Sequence, residues 1–555
     1  MTNASASSAR RLVETLVLNG VEKVFCVPGE SYLAVLDALY DVRDKIEVIV
    51  CRHEAGAANM AEAYGKLTGK PGICMVTRGP GATQASIGVH TAQQVSAPMI
   101  LFVGQIALTD RGRGAFQEVD YRQTFGGLAK WATEIESPER TVEIVERAFA
   151  TALQGRMGPV VIALPEDLLH EDGGPAPVKP VTPARSALDP AFVAELSERL
   201  SKAESPLLVL GGSGWSDEAT TAMANWAERL GIPLALSFRR KDLISNLHPC
   251  YAGDLGIGCS PKLIERAKQS DLIIAIGARL GENATQGYTT LDRSRTAQTL
   301  VHILPGAEEA GRVWAPLMSA TADNSLAALA ISRIEVDRLW HDQARAANEA
   351  YLAFSAPIQT VGAVNLSEVV RHLTVGLPKD AVLTNGAGNF AAWLHRFYHH
   401  QARRAQVAPT SGAMGYGYPA ALAAKAVMPE RMVVCFAGDG DFMMSACELA
   451  TAVQYNLPVI VIVVDNSSFG TIRMHQETHY PARVIATDIK NPDFVKYAEA
   501  FGAFGIRVNA TGDFPAALAQ ACQATERGQP ALIHLIADTE QISPAKTITQ
   551  LRQRN

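Results

Sequence analysis

Along this chain, short uninterrupted runs of apolar and β-branched residues alternate with longer Ala-rich stretches of helical spacing. EVIV (47–50), GICMV (72–76), MILFVG (99–104) and VVIAL (160–164) fall in the first third. PLLVLGG (206–212) and DLIIAIGARL (271–280) follow in the second, and MVVCFAGDG (432–440) and PVIVIVVDN (458–466) in the last. Strands that are apolar throughout have both faces covered, and helices between them imply parallel pairing. The pattern predicts an α/β chain built from doubly wound parallel sheets.

Two segments interrupt the alternation. GGPAPVKPVTPARSALDP (173–190) holds five prolines, and the stretch from Phe354 to Ala363 follows a charged, helix-like run. Proline at that density favours extended linkers. The 555 residues exceed what one core supports at roughly 150 residues per domain. Cutting at the linkers predicts three successive domains, 1–172, 191–345 and 364–540, joined by 173–190 and 346–363 and followed by a C-terminal tail, 541–555.

Composition narrows the class of partner. With 48% hydrophobic and 19% charged residues the chain has a packed interior, which excludes a disordered or fibrous protein. A net charge of −6 without any run of five like charges gives no footprint for nucleic acid. No stretch of 18 apolar residues occurs, so no membrane span is expected. The start, MTNASASSARRLVETLVLNG, enters helical spacing at Leu12, Leu16 and Leu18 without a signal-type apolar block, and the eight cysteines form no CxxC pair. A reducing, cytoplasmic location is expected.

Ligands of such sheets bind beyond the carboxyl ends of the strands, so the residues there carry the chemistry. MVVCFA ends in Gly438-Asp439-Gly440-Asp441-Phe442, and PVIVIVV ends in Asp465-Asn466-Ser467-Ser468-Phe469-Gly470. If a right-handed crossover makes these strands neighbours, Asp439 and Asn466 lie side by side. Two oxygen ligands beside glycine-opened backbone amides suit a hard divalent cation holding a diphosphate. A lone Gly-Asp-Gly is more often an ordinary strand-to-helix turn; the Asn 28 positions after Gly438 changes that balance.

This spacing resembles the motif of the thiamine-diphosphate enzymes. The resemblance extends to the acetohydroxyacid (acetolactate) synthase-like group through VFCVPGESYLAVLDAL (24–39), VTRGPGATQA (76–85), GRGAFQEVDYRQ (112–123) and SGAMGYGYPAALAAK (411–425). It implies three domains in the order pyrimidine, middle and diphosphate. It also implies thiamine diphosphate and Mg2+ as cofactors, with Asp439, Asn466 and the main-chain carbonyl of Ser468 as metal ligands. Glu54, in the strand-end context Arg52-His53-Glu54, becomes the acid that bonds the aminopyrimidine ring. The remaining implied cofactor contacts are Pro28, Gly29, Gly388, Asn389, Met414, Gly438, Gly440, Asp441, Phe469 and Gly470, with Met414 supporting the bent cofactor. Phe116 and Gln117 would lie on the substrate side, and His90 and His475 near substrate. The resemblance further implies a homodimer as smallest competent unit, a homotetramer as the expected assembly, and carboligation of short 2-oxo acids or aldehydes.

Departures from the group bear on specificity. Asp465 replaces the first residue of the usual Asn-Asn pair, and His475 in GTIRMHQE (470–477) stands where biosynthetic synthases carry a Trp. Glu166 replaces a Lys, and GARLGENATQGY (277–288) keeps Arg279 but has Leu280-Gly281-Glu282 where flavin binders have an acidic pair. These losses argue against bound FAD. His90 and Gln93 also differ from the biosynthetic pattern. GGSGW (211–215) lacks dinucleotide-fingerprint spacing. The competing readings are a hydroxyacyl-CoA or oxalyl-CoA lyase or decarboxylase, for which Arg239-Arg240-Lys241 is a candidate phosphate cluster as well as a candidate solvated loop, and a benzaldehyde-lyase-type hydroxyketone lyase. A non-catalytic relative is the reading from another class; Glu54, Asp439 and Asn466 together argue against it.

Overall fold

The computed structural model describes residues 6–553; the first five residues of the expected first domain and the last two of the expected tail lie outside it. Three six-stranded sheets follow one another, every pairing parallel. The first comprises β1 (Lys23–Cys26), β2 (Glu47–Val50), β3 (Gly72–Val76), β4 (Met99–Gln105), β5 (Trp131–Glu134) and β6 (Pro159–Pro165), in the order β2-β1-β3-β4-β6-β5. The second has β7 (Pro206–Leu210), β8 (Leu234–Ser237), β9 (Tyr251–Leu255), β10 (Leu272–Ile276), β11 (Leu300–Leu304) and β12 (Met318–Thr321), ordered β12-β11-β10-β7-β8-β9. The third has β13 (Val382–Asn385), β14 (Gln406–Val407), β15 (Val433–Gly438), β16 (Ile460–Asp465), β17 (Phe504–Val508) and β18 (Ala531–Ile536), ordered β14-β13-β15-β16-β18-β17.

The outer two sheets therefore share one topology, and the middle one has the 3-2-1-4-5-6 order of a dinucleotide-binding fold. The continuous apolar runs have the expected cause. In β7, Leu208 and Leu210 enter one core cluster while Leu207 and Val209 enter the cluster on the opposite face. In β10, Ile274 and Ile276 part from Ile273 and Ala275 in the same way. With a side-chain period of two, only a sheet covered on both sides buries all of them.

By packing, the chain forms two compact units. One holds the chain up to Ala184 with Tyr418–Pro429 and Met443–Leu457; the other holds Arg185–Gly417, Glu430–Phe442 and the chain from Pro458 on. The last third is thus shared between units. Cutting a sequence at proline-rich linkers assumes that each block keeps its own helices, and these two segments do not. The expected linker start at 346 also falls inside a helix, His341–Phe354, because Tyr351 packs edge-on against Tyr251 of β9 with ring centroids 4.7 Å apart. The expected tail carries a helix of its own, Ile548–Arg552, with a capping box at Thr547 and Gln550.

All eight cysteines are free thiols, five of them buried. No helix among the described residues is long and apolar enough to cross a membrane.

Candidate active site

Each outer sheet reverses its winding between its first and third strands, and that reversal opens a crevice at the carboxyl edge. In the first unit the crevice lies between the ends of β1 and β3. Val27-Pro28-Gly29 leaves β1, and Thr77-Arg78-Gly79 leaves β3. The two loops are in close apposition: a Cβ on Gly29 would stand 2.4 Å from Thr77 Cβ, so no larger residue fits there. Ser31 Oγ and Thr77 Oγ1 share a hydrogen bond of 2.9 Å, and Tyr32 donates its hydroxyl to Val27 O at 2.6 Å.

Glu54 opens the helix Glu54–Thr68 directly after β2, with His53 as its cap; Ala55 N donates to His53 Nδ1 at 3.1 Å. Its half-buried carboxylate points to the crevice, where Oε1 lies 3.4 Å from the place a Cβ would occupy on Gly81. Gln117, at φ 65°, packs its Cβ on Gly79, and its Oε1 is buried without a partner. Phe116 beside it is 74% exposed. His90 is not brought to this point. It sits nine residues beyond Gly81 on the helix Pro80–Val95, or about 13 Å along the axis. Gln93 lies further still, its carbonyl bonded by Arg156.

In the second unit the corresponding crevice lies between β13 and β15. Gly386-Ala387-Gly388 leaves β13, and Asp439-Gly440-Asp441 follows β15. β15 pairs with β16, Gly438 against Val464, so Asp439 and Asp465 are level at the sheet edge and Asn466 is one step beyond. The two strands are neighbours, as the sequence reading required, but the residue level with Asp439 is Asp465 and not Asn466. Asp439 takes Asn491 Nδ2 on Oδ2 at 2.8 Å and Gly440 N on Oδ1 at 2.9 Å, and burial raises its pKa. Asn466 Oδ1 accepts from Ser468 N at 3.2 Å, and the buried Ser468 carbonyl accepts from Gly470 N at 2.8 Å. Phe469 fills the space above Gly440, where a Cβ would stand 2.6 Å from its ring.

Asp465 has a structural explanation. Its Oδ2 accepts His534 Nε2 at 2.8 Å in a buried pair, and its Oδ1 accepts Ser467 N and Asn491 Nδ2, each at 2.9 Å. Burial alone would raise this carboxyl; His534 and the other donors outweigh it and hold it well below the usual range. Asn491 thus spans two carboxylates.

Two residues expected at the cofactor, Asp441 and Asn389, also brace the protein. Asp441 Oδ1 accepts Gly415 N at 2.9 Å and Ala387 N at 3.2 Å, tying the loop that carries half-buried Met414 to the one after β13. Burial pushes its carboxyl up to about 7. Asn389 donates to Ile542 O at 2.9 Å and accepts Thr471 Oγ1 at 3.0 Å, so its side chain ties its helix to the one that begins at Gly470. His475 is exposed on the helix Gly470–His479, stacked on His479 at 6.4 Å.

In the middle sheet, GGSG after β7 meets GARLG after β10 at the winding reversal, and a Cβ on Gly212 would stand 2.5 Å from Gly277 O. Arg239 and Lys241 correct the solvated-loop and phosphate-cluster readings alike. Both are buried: Arg239 donates to Pro409 O, and Lys241 to His395 O and, at 3.0 Å, to Tyr398 O.

Sequence reasoning missed Glu448, Asn491 and Arg78. Glu448 had a signal, being the one charged residue between Asp441 and Asp465. Asn491 was hidden in Lys490-Asn491-Pro492, which reads as a turn.

The donor set fits the cofactor. One carboxylate, one amide oxygen and one main-chain carbonyl suit a hard cation whose shell is completed by phosphate oxygens. Among the described residues no group of three or more His, Cys, Asp or Glu side chains is arranged to hold a metal by itself. Comparison with known proteins gives the same class. Residues 7–124 match the N-terminal TPP binding domain of thiamine pyrophosphate enzymes, 193–330 their central domain and 386–535 their C-terminal TPP binding domain. The chain belongs to the thiamine pyrophosphate enzyme family. Within it, the acetolactate synthase large subunit of Parasynechococcus marenigrum (strain WH8102) is 32% identical over 520 residues, covering 90% of this chain and 83% of the relative. Isozyme 2 of the acetolactate synthase large subunit from Escherichia coli (strain K12) is 29% identical, covering 92% of each chain, and isozyme 3 is 28% identical, covering 97% and 96%.

Proposed function

We propose that this protein is a Mg2+- and thiamine-diphosphate-dependent carboligase, acetolactate synthase-like, with pyruvate or another short 2-oxo acid as donor and a 2-oxo acid or aldehyde as acceptor. The observation that carries this reading is Glu54 at the first crevice in a chain related to acetolactate synthase large subunits over 90% of its length. When bound, thiamine diphosphate supplies the carbanion chemistry. Asp439, Asn466 and the Ser468 carbonyl would hold the cation, and the amides around Gly388 and Gly440 the diphosphate. Met414 would support the ring system from its braced loop. Glu54 would keep a proton at the aminopyrimidine, the step for which a half-buried carboxylate is suited. Two subunits are the smallest competent unit in this reading.

Two of the three cations of the cluster read for a CoA ester, Arg239 and Lys241, are turned inward, which weighs against that alternative. Flavin has no part in the proposal; a yellow preparation carrying stoichiometric flavin would remove that element. The deciding experiment is a panel of 2-oxo acids with Mg2+ and cofactor, scored for carbon dioxide release and for product by mass. Glu54→Gln should lower turnover by about three orders of magnitude while leaving cofactor affinity unchanged. Carbon dioxide release without a condensed product, or full activity of Glu54→Gln, would overturn the proposal.

A further inference from the structure

The turn that delivers Glu54 is held by an acid far along the chain. Arg52 N and His53 N, the two amides immediately before Glu54, converge on Glu448: Arg52 N lies 3.1 Å from Oε1 and 3.2 Å from Oε2, and His53 N lies 3.0 Å from Oε1. Thr451 Oγ1 donates to Oε2 at 2.5 Å. Glu448 is wholly buried, within the same compact unit as Glu54. Two residues after Glu54, a Cβ on Gly56 would stand 2.3 Å from Glu448 Oε1, so the carboxylate occupies the space a side chain there would need. The same short segment makes two more contacts with this connection. Val50 N donates to Tyr455 Oη at 2.8 Å, and Arg52 Nη2 donates to Gln454 Oε1 at 2.6 Å.

These contacts grip the chain on both sides of Glu54 and leave Glu54 itself untouched. Amides at a helix start that lack intrahelical partners are ordinarily met by a local cap or by water. Here an anion supplied from elsewhere takes the two that precede the helix, where the macrodipole also favours negative charge. Burial raises the Glu448 pKa, and Thr451, Arg52 N and His53 N act against that rise.

Resting on the reading of Glu54 given above, we infer that Glu448 is a positioning residue for Glu54: it fixes the backbone of residues 52–56 so that the Glu54 carboxylate stands at the crevice, and touches neither substrate nor cofactor itself. Loss of its charge lets the turn relax, and displacement of a catalytic group by about 1 Å costs on the order of 10- to 100-fold.

The test compares Glu448→Gln, Glu448→Asp and Glu54→Gln with the native chain, full length. In the cofactor-free protein, amide exchange of the peptide covering residues 50–57 should quicken in Glu448→Gln and remain native in Glu54→Gln. With cofactor and Mg2+ but no substrate, proton exchange at the thiazolium carbon should slow about 10- to 100-fold in Glu448→Gln and further in Glu54→Gln. Cofactor affinity should stay within about twofold in both, and kcat should fall with KM little changed. Glu448→Asp, which keeps the charge, should recover part of the exchange rate. If Glu448→Gln fails to fold, Gly56→Ala presses on the same carboxylate and should give the same pattern. Native proton exchange in a Glu448→Gln chain whose turn has loosened would overturn the inference while leaving Glu54 in place. Native exchange in Glu54→Gln would overturn the reading of Glu54 and the inference with it.

Discussion

Arg78 Nη1 donates to Glu166 Oε2 at 2.6 Å, joining the loop after β3 to the one after β6. Arg78 is 11% exposed at the side chain and its Nε is buried without a partner, so the guanidinium depends on carboxylates, Glu166 and, at 3.7 Å, Glu30. The acid at 166, which departs from the lysine of the resembling group, thus balances an arginine at 78. Glu166 is 41% exposed, which limits the value of the pair. A double-mutant cycle with Arg78→Gln and Glu166→Gln should give a coupling of about 1 kcal/mol in urea unfolding. Glu166→Lys should destabilise more than Glu166→Gln, because it sets two cations together. Strictly additive single variants would show that the pair contributes nothing.

Asn491 is the second relationship with a measurable outcome. Its amide group bridges Asp439 and Asp465, donating to both carboxylates at the level of the proposed cation. Asp439→Ala should abolish metal-dependent cofactor retention. Asn491→Ala should weaken Mn2+ binding, read by electron paramagnetic resonance, by roughly tenfold, as loss of a partner to a metal ligand commonly does. Unchanged Mn2+ affinity in both variants would place the metal elsewhere.

How much of this could be read without coordinates follows from which residues carry their signal locally. β3, β4, β6, β7, β10, β15 and β16 were legible because each is buried on both faces and so is largely apolar, and β2, an edge strand that opens on exposed Glu47, was legible from its Val48-Ile49-Val50 run alone. β5 and β17 occupy sheet edges, and their half-buried sequences, WATE and FGIRV, give no such run. Asp439 and Asn466 were legible because the motif places them at the ends of two legible strands. The pairings of Glu448 and Asn491 were not, since their partners lie 395 and 52 positions away for His53 and Asp439 and no periodicity encodes such a pairing. Asp441 and Asn389 stand in the motif that implies cofactor contact, and their hydrogen bonds to Gly415, Ala387, Ile542 and Thr471 were not legible in it.

Glu477 gives a pH-dependent prediction. Its wholly buried carboxylate takes Arg552 Nε at 2.8 Å and Nη2 at 2.7 Å, Arg473 Nε at 2.9 Å and Ala482 N at 3.0 Å, fastening the C-terminal helix to Gly470–His479. The Arg552 hydrogen bonds lead in lowering its pKa from 4.5 to about 2. A depressed carboxyl stabilises the fold above its unfolded value, and that contribution fades as pH falls towards the folded one. Glu477→Gln should therefore cost about 1–3 kcal/mol at pH 7, less than a fully buried pair because Arg552 is 43% exposed. The gap from the native chain should close between about pH 5 and pH 2. A gap independent of pH would mean that the carboxylate charge is not its source.

His475 tests the specificity half of the proposal. It lies one turn into the helix that follows the Asn466–Phe469 loop, exposed and stacked on His479, so an indole can replace it without repacking a core. His475→Trp should leave the melting temperature unchanged, and any change in products is then attributable to the site. An imidazole is smaller and more polar than an indole, which leaves a wider acceptor space with a hydrogen-bonding edge. The variant should accordingly narrow acceptor choice, by about 1–3 kcal/mol of discrimination in competition between a 2-oxo acid and an aldehyde. Donor decarboxylation, measured as carbon dioxide release with a single 2-oxo acid, should change little, because that step turns on Glu54. Equal effects on donor and acceptor, or none on either, would remove His475 from the acceptor side.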